Sequence, residues 1–187
     1  MKRWWVWLFV AWVGLDVWLV RWWLDERREQ RAEPFVQAAA RQYGVETSLI
    51  RAVIWRESRF HPDARGRAGE LGLMQVGNLA GIEWAERESI RGHVHQDLLN
   101  PGKNTLAGTY YLSRMLARYQ NTDNPTVYAL ADYNAGRSNV LRWLNGAAAT
   151  NSAAFLEAMD FPGTRRYIQA IVARRDHYRA QPAYVGN

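Results

Sequence analysis

The sequence predicts a mainly α protein: one helical domain, with at most a small β region, preceded by an N-terminal transmembrane helix. Three observations predict it. The first 24 residues form an apolar, tryptophan-rich run; residues 49–57 and 103–120 carry apolar side chains at helical spacing; and Pro, Asn and Gly fall where helices start and stop. At 187 residues there is room for one ordinary domain and an appendage. The portion after the apolar run is long enough to bury a core of its own.

Seven of the ten tryptophans lie in the first 23 residues, with Trp4-Trp5 and Trp22-Trp23 bracketing the run. Residues 4–24 make a helix of about 31 Å, the thickness of a bilayer's hydrocarbon core, and paired tryptophans at both ends suit interfacial anchors. Asp16 lies inside the span, at a cost of about 2.5 to 3.5 kcal/mol if central, and Arg21 must snorkel. The rival readings are a signal peptide, which Lys2-Arg3 fits but for which no small-x-small cleavage site follows, and an interfacial helix. Lys2 and Arg3 before the span, against Arg21, Arg27, Arg28 and Arg31 after it, do not by themselves place the N-terminus in the cytoplasm.

Residues 1–24 are thus assigned to the anchor, 25–33 to a charged linker or solvated helical extension, 34–180 to the domain and 181–187 to a tail. Pro34 suits the first turn of a helix and Gly44 its left-handed stop. Thr47 or Ser48 is expected to cap the next helix, which His61-Pro62 ends. An Arg- and Gly-rich loop precedes Leu71–Gln75. Residues 103–120 place Leu106, Tyr110, Tyr111, Leu112, Met115, Leu116 and Tyr119 on most sides of a helix, which should therefore be central. Asn124-Pro125 opens a helix that Gly136 closes, and segments at 138–145, 152–159 and 164–178 complete the count.

Lys and Arg exceed Asp and Glu by six charges, but the basic residues are spread along the helices and form no nucleic-acid stripe. A solvated basic surface, or an anionic polymer as substrate, accounts for the excess. There is no cysteine, hence no disulfide and no thiolate metal site. His93 and His95 are read as an exposed polar loop with no carboxylate to complete a metal site, and no phosphate loop marks a nucleotide cofactor. No cofactor and no metal are expected.

Glu57 is the candidate for chemistry. At about 100° per residue from Leu49, the side chains of Leu49, Ile50, Val53 and Ile54 fall at about 0, 100, 40 and 140°, and Glu57 at about 80°. An acid aimed at the core holds its proton, because desolvation disfavours the charged form, and a held proton is what a general acid needs. The bland alternative is a buried Glu paired with an Arg. Asp63, Glu70, Glu83, Glu86 and Asp132 are the candidates for a second carboxylate, and none occupies an apolar position that would hold it opposite Glu57.

The order Glu57-Ser58, Gly72-Leu73-Met74-Gln75, Asn104 with Gly108, Tyr133-Asn134-Ala135-Gly136 and Thr164-Arg165-Arg166-Tyr167 resembles the catalytic domain of the soluble lytic transglycosylases, from about Pro34 to Tyr178. Each string alone is weak, whereas the ordered set is specific. The resemblance implies a lysozyme-like fold of the SLT and goose-lysozyme type. It implies cleavage of the β-1,4 bond between N-acetylmuramic acid and N-acetylglucosamine in peptidoglycan, with one Glu serving first as acid and then as base on the sugar's 6-hydroxyl.

On that resemblance Tyr133 donates a hydrogen bond that orients Glu57, Asn134 shapes the same wall, and Gln75 lines the sugar subsites. Ser58, Met74, Asn104 and Tyr167 are groove or supporting residues. For Tyr133 the alternative is a core tyrosine, and for Gln75 a surface amide. The partners implied are peptidoglycan glycan strands, the membrane through the N-terminal helix, and a secretion or conjugation apparatus, with no nucleic acid. The location implied is the bacterial inner membrane, single-pass, with the domain in the periplasm. The chain departs from the family pattern at Gly66, where a Ser is common; at Gly77 and Asn78, where Met and Pro often follow; and at Gly163, where an acid is often found. A hydrolase using water, and a weakly active wall-binding protein, are the competing readings.

Overall fold

The computed structural model describes residues 4–181. The apolar run, the charged run and the first helix of the domain are one continuous element, α1 (Trp4–Tyr43), with Pro34 inside it and not at a helix start. A proline there removes the bond to the Gln30 carbonyl, a cost of about 3 kcal/mol in a helix interior. Tertiary contacts outweigh it. Ala32, Val36 and Ala39 are buried where α1 packs on α4 and α2, and Arg51 bonds Glu29 and lies 3.7 Å from Glu33. The end of the charged run therefore belongs to the folded domain. The N-terminal part of α1 is long and apolar enough to cross a membrane, and none of its apolar window is buried by the rest of the protein.

Gly44 stops α1 as expected, with φ 66° and its N–H on the Ala40 carbonyl at 2.9 Å. Helix α2 (Thr47–Ser58) differs from expectation at both ends. Glu46 stands at the N-cap without a side-chain cap, while Ser48 donates to the Glu46 carboxylate. The helix stops at Ser58, before His61-Pro62, because Arg59 and Phe60 adopt left-handed backbone (φ 52° and 61°). Burial of Phe60 holds this turn, which a non-glycine residue ordinarily avoids. On the inner face Leu49, Ile50, Val53 and Ile54 are all buried, each worth about 1.5 to 3 kcal/mol. Glu57 thus sits on a firmly seated helix.

Helix α3 (Asn78–Arg87) was not anticipated; it buries Trp84 and Ala85. Helix α4 (Pro101–Arg118) begins at Asn100, whose side chain accepts from Lys103 N–H at 3.0 Å, with Pro101 in the first turn. It packs on α1, α3 and α5 (Pro125–Ala135), as its central assignment requires. Helices α6 (Arg137–Trp143), α7 (Ser152–Ala158) and α8 (Pro162–Ala180) follow, and α8 lies along α2. Among the described residues the only β features are isolated bridges, Arg65 with Leu71 and Leu71 with Val76.

Candidate active site

Glu57 lies in the last turn of α2 and is half-buried. Its Oε1 accepts a hydrogen bond from the hydroxyl of Tyr167, a buried residue of α8. Burial raises the Glu57 pKa; the Tyr167 bond and the charge of Arg56 pull against it, and the charge of Glu70 adds to it. The balance is upward, so the acid holds its proton above the ordinary carboxylate range. Tyr167 and Tyr133 are both pushed well above the usual phenol range by burial and the charge of Glu57, and both remain donors.

The orienting tyrosine is Tyr167, which corrects the expectation for Tyr133. The Tyr133 hydroxyl donates to the Met74 carbonyl at 2.8 Å, and its ring meets Tyr111 at 5.8 Å. Tyr133 therefore holds the Gly72–Gln75 loop, while its neighbour on α8 holds the acid.

Three other expected groove residues serve the same loop from beneath. Ser58 donates to the Leu73 carbonyl at 2.7 Å. Asn104, fully buried, accepts from Met74 N–H at 2.8 Å and donates to the carbonyls of Leu71 at 2.7 Å and Leu98 at 2.8 Å. Met74 is itself fully buried, with its sulfur 3.6 Å from the Thr109 hydroxyl. None of the three presents its side chain as a groove surface. Ser58 and Asn104 complete backbone groups that would otherwise be buried unpaired, at about 1 to 3 kcal/mol each, while Met74 packs the loop from within. Gly72, at φ 75°, is required here: a Cβ would fall 2.3 Å from Asn104 Nδ2 and 2.5 Å from the Leu98 carbonyl.

Gln75 takes left-handed backbone (φ 48°) and turns its amide onto its own loop, donating to the carbonyls of Gly72 at 2.9 Å and Ala64 at 3.2 Å. Asn134 is exposed, and its Oδ1 accepts from the Thr164 hydroxyl at 2.9 Å. With Arg56, Gly163, Thr164 and Tyr167 it lines an open depression of about 480 Å³ beside the acid.

Glu70 bears on the site although the spacing did not place it there. Its carboxylate accepts from Ala68 N–H at 3.1 Å. A Cβ on Gly66 would fall 2.2 Å from that carboxylate and 2.8 Å from the Gln75 amide oxygen. The room left by the missing Ser side chain is therefore filled by Glu70. The pairing of Gly66 with Glu70 was the signal available in the sequence. Asp132, by contrast, is buried in structural bonds to Arg118 at 2.5 Å and Tyr119 at 2.8 Å. Glu83 pairs with Arg114.

The histidines are not an exposed loop. The His93 side chain is 5% exposed and meets Trp84 edge-on, and His95 Nε2 is 2.7 Å from the Gly69 carbonyl. No group of three His, Cys, Asp or Glu that could hold a metal occurs among the described residues.

A helical frame carrying one proton-holding acid at the end of a buried helix, over a loop clamped by an asparagine, defines a lysozyme-like domain. The transglycosylase SLT domain family matches residues 34–156, and the chain belongs to it. It is 32% identical over 137 residues to the soluble lytic murein transglycosylase of Escherichia coli (strain K12), covering 72% of this chain and 21% of that protein. It is 37% identical over 121 residues to the membrane-bound lytic murein transglycosylase C of Actinobacillus succinogenes, covering 62% and 34%.

Two solved structures share the fold, each with a TM-score of 0.70 over 78% of this chain. They are an inactive mutant of the lytic transglycosylase Slt from Pseudomonas aeruginosa, at 29% identity and 23% of its length, and the 70 kDa soluble lytic transglycosylase from Escherichia coli, at 28% and 24%. The chain spans only about a fifth to a third of the length of these curated relatives.

Proposed function

We propose that this chain is a membrane-anchored peptidoglycan lytic transglycosylase that cleaves the β-1,4 bond between N-acetylmuramic acid and N-acetylglucosamine and leaves a 1,6-anhydromuramic end. The observation that carries the reading is Glu57 itself: a half-buried acid with a raised pKa, held at one oxygen by Tyr167. With Oε1 occupied, the proton on the other oxygen passes to the glycosidic oxygen as the C1–O bond breaks. The resulting carboxylate then takes the proton of the muramic 6-hydroxyl as that oxygen bonds to C1. The proton returns to Glu57 and no water is consumed. Capture by a hydroxyl already held in the same groove has a large effective concentration.

Glu57 and Tyr167 are the catalytic pair in this reading. Asn134 flanks the substrate, and Gln75, Tyr133, Ser58, Met74 and Asn104 shape and position the loop. The N-terminus lies in the cytoplasm and the domain in the periplasm, where its substrate is. A small anchored domain suits local opening of the wall for a secretion or conjugation apparatus. Hydrolysis by water is a second reading, favoured by one observation: the Glu70 charge reaches Glu57. Digestion of purified peptidoglycan followed by mass spectrometry of the muropeptides separates the two. Muramic ends lighter by one water support the proposal, and predominantly reducing ends overturn it.

A further inference from the structure

A second cleft, about 670 Å³, lies away from Glu57, between the N-terminal helix and the domain. Arg21, Trp22 and Arg28 of α1 form one wall, and Trp55, Arg59 and Arg174 face them. Two guanidinium groups share the Trp55 indole, with Arg59 Cζ at 3.6 Å and Arg174 Cζ at 4.1 Å from the ring centroid. The ring attracts each cation, but the two cations repel one another. Desolvation and the like charges of Arg174 and Arg56 hold Arg59 below its ordinary pKa range, an effect that Asp25 only partly offsets.

The carboxylates in the cleft are already engaged. Asp25 is bound by Arg28 at 2.8 Å, Glu29 by Arg51 and by Tyr178 at 3.2 Å, and Glu26 accepts from Gln30 at 3.2 Å. Among the described residues Arg21, Arg59 and Arg174 have no carboxylate within 4.0 Å. Asp25 and Glu29 are thus ion-paired and Glu26 is held by an amide, while three arginines of the cleft lack a carboxylate partner. It begins at Arg21-Trp22, where the apolar run of α1 ends, at the level of the headgroups if the helix spans a bilayer.

We propose that this cleft binds the phosphate of an anionic phospholipid headgroup, with Arg59 and Arg174 holding the anion and Trp22 and Trp55 flanking the glycerol. The site rests on reading α1 as a transmembrane anchor. It seats the domain against the bilayer and so restricts Glu57 to glycan strands close to the membrane. A zwitterionic lipid brings the same phosphate but also a choline cation against the two arginines, so it should bind about 10-fold more weakly.

The test uses the full chain in a neutral detergent, with native mass spectrometry of retained short-chain phosphatidylglycerol against phosphatidylcholine, and with inorganic phosphate as competitor. Wild type should retain phosphatidylglycerol preferentially. Arg59→Gln combined with Arg174→Gln should abolish the preference while leaving muropeptide release in detergent unchanged, and the matching pair of Lys substitutions should keep most of it. Equal retention of both lipids, an unaltered preference in the Gln pair, or displacement by phosphate at concentrations equal to the lipid would each overturn the headgroup site. Extraction of membranes with alkaline carbonate separates the two inferences. Release of the wild-type chain sinks the anchor and the site together, whereas a resistant chain without lipid preference leaves the anchor standing and the site refuted.

Discussion

Removing the Tyr167 hydroxyl should cost activity, and removing the Tyr133 hydroxyl should cost stability. Tyr167→Phe deletes a donor to a group that is charged during turnover, and such a bond is worth about 1.5 to 3 kcal/mol. At about 1.4 kcal/mol per factor of ten, kcat should fall about 10- to 150-fold, with the unfolding transition little changed. Loss of the bond also disfavours the carboxylate, so the Glu57 pKa rises further and the descending limb of kcat/KM moves to higher pH.

Tyr133→Phe instead leaves the Met74 carbonyl without its partner, at about 1 to 3 kcal/mol of stability, and loosens the loop with a smaller loss of rate. Muropeptide release measured across pH, alongside thermal unfolding of the same preparations, reads both quantities. A larger rate loss in the Tyr133 variant than in the Tyr167 variant, with no stability loss, would show that the two hydroxyls have been assigned the wrong way round.

Glu57→Gln should abolish muropeptide release. The same change should raise the melting temperature at neutral pH: a raised folded-state pKa gives stability that is present below the unfolded value and lost as pH rises through the folded one, and the amide escapes that loss. The gain should vanish in acid, and a wild-type protein that is the more stable at pH 7 would contradict the assignment. Asn104→Ala strips partners from Met74, Leu71 and Leu98 at once and should lower stability by about 3 kcal/mol or more, read as a shifted denaturant midpoint at unchanged slope. Glu70→Gln removes a negative charge that supports the raised Glu57 pKa, so the descending limb of kcat/KM should move to lower pH; an unmoved limb would mean that Glu70 does not reach the acid.

The local rules made the acid and its helix legible. Leu49, Ile50, Val53 and Ile54 at helical spacing left Glu57 on the inner face, and each of the four is buried. Pro34 misled because propensity is only a prior: the packing of Ala32, Val36 and Ala39 carries the helix through it. Helix α3 was hidden because Leu79 is 81% exposed and its apolar residues do not line one stripe. The two tyrosines were beyond reach of spacing. Each is an aromatic on a helix near Glu57, and which hydroxyl meets the carboxylate depends on how α5 and α8 pack around α2, a long-range arrangement that no local pattern encodes. His93 escapes a local pattern in the same way, since Trp84 of α3 covers it from outside its own loop.

The departures at Gly66, Gly77 and Gly163 bear unequally on the proposed activity, and packing decides their weight. Gly77 precedes α3 in extended backbone, and Gly163 lies in the first turn of α8; neither has an atom within 4 Å of where a Cβ would be. Each is an omitted side chain with open space around it, so it removes a contact without disturbing Glu57 or Tyr167. Gly66 is different in kind, because the Glu70 carboxylate and the Gln75 amide occupy the volume a side chain would take. A neutral hydroxyl at the loop has in effect been exchanged for a carboxylate whose charge raises the proton affinity of the acid. Loss of a substrate contact alone would weaken binding, whereas this exchange also moves the pH at which Glu57 holds its proton. The loop is thus altered where its charge adds to the upward shift of the acid, behind the larger effect of burial.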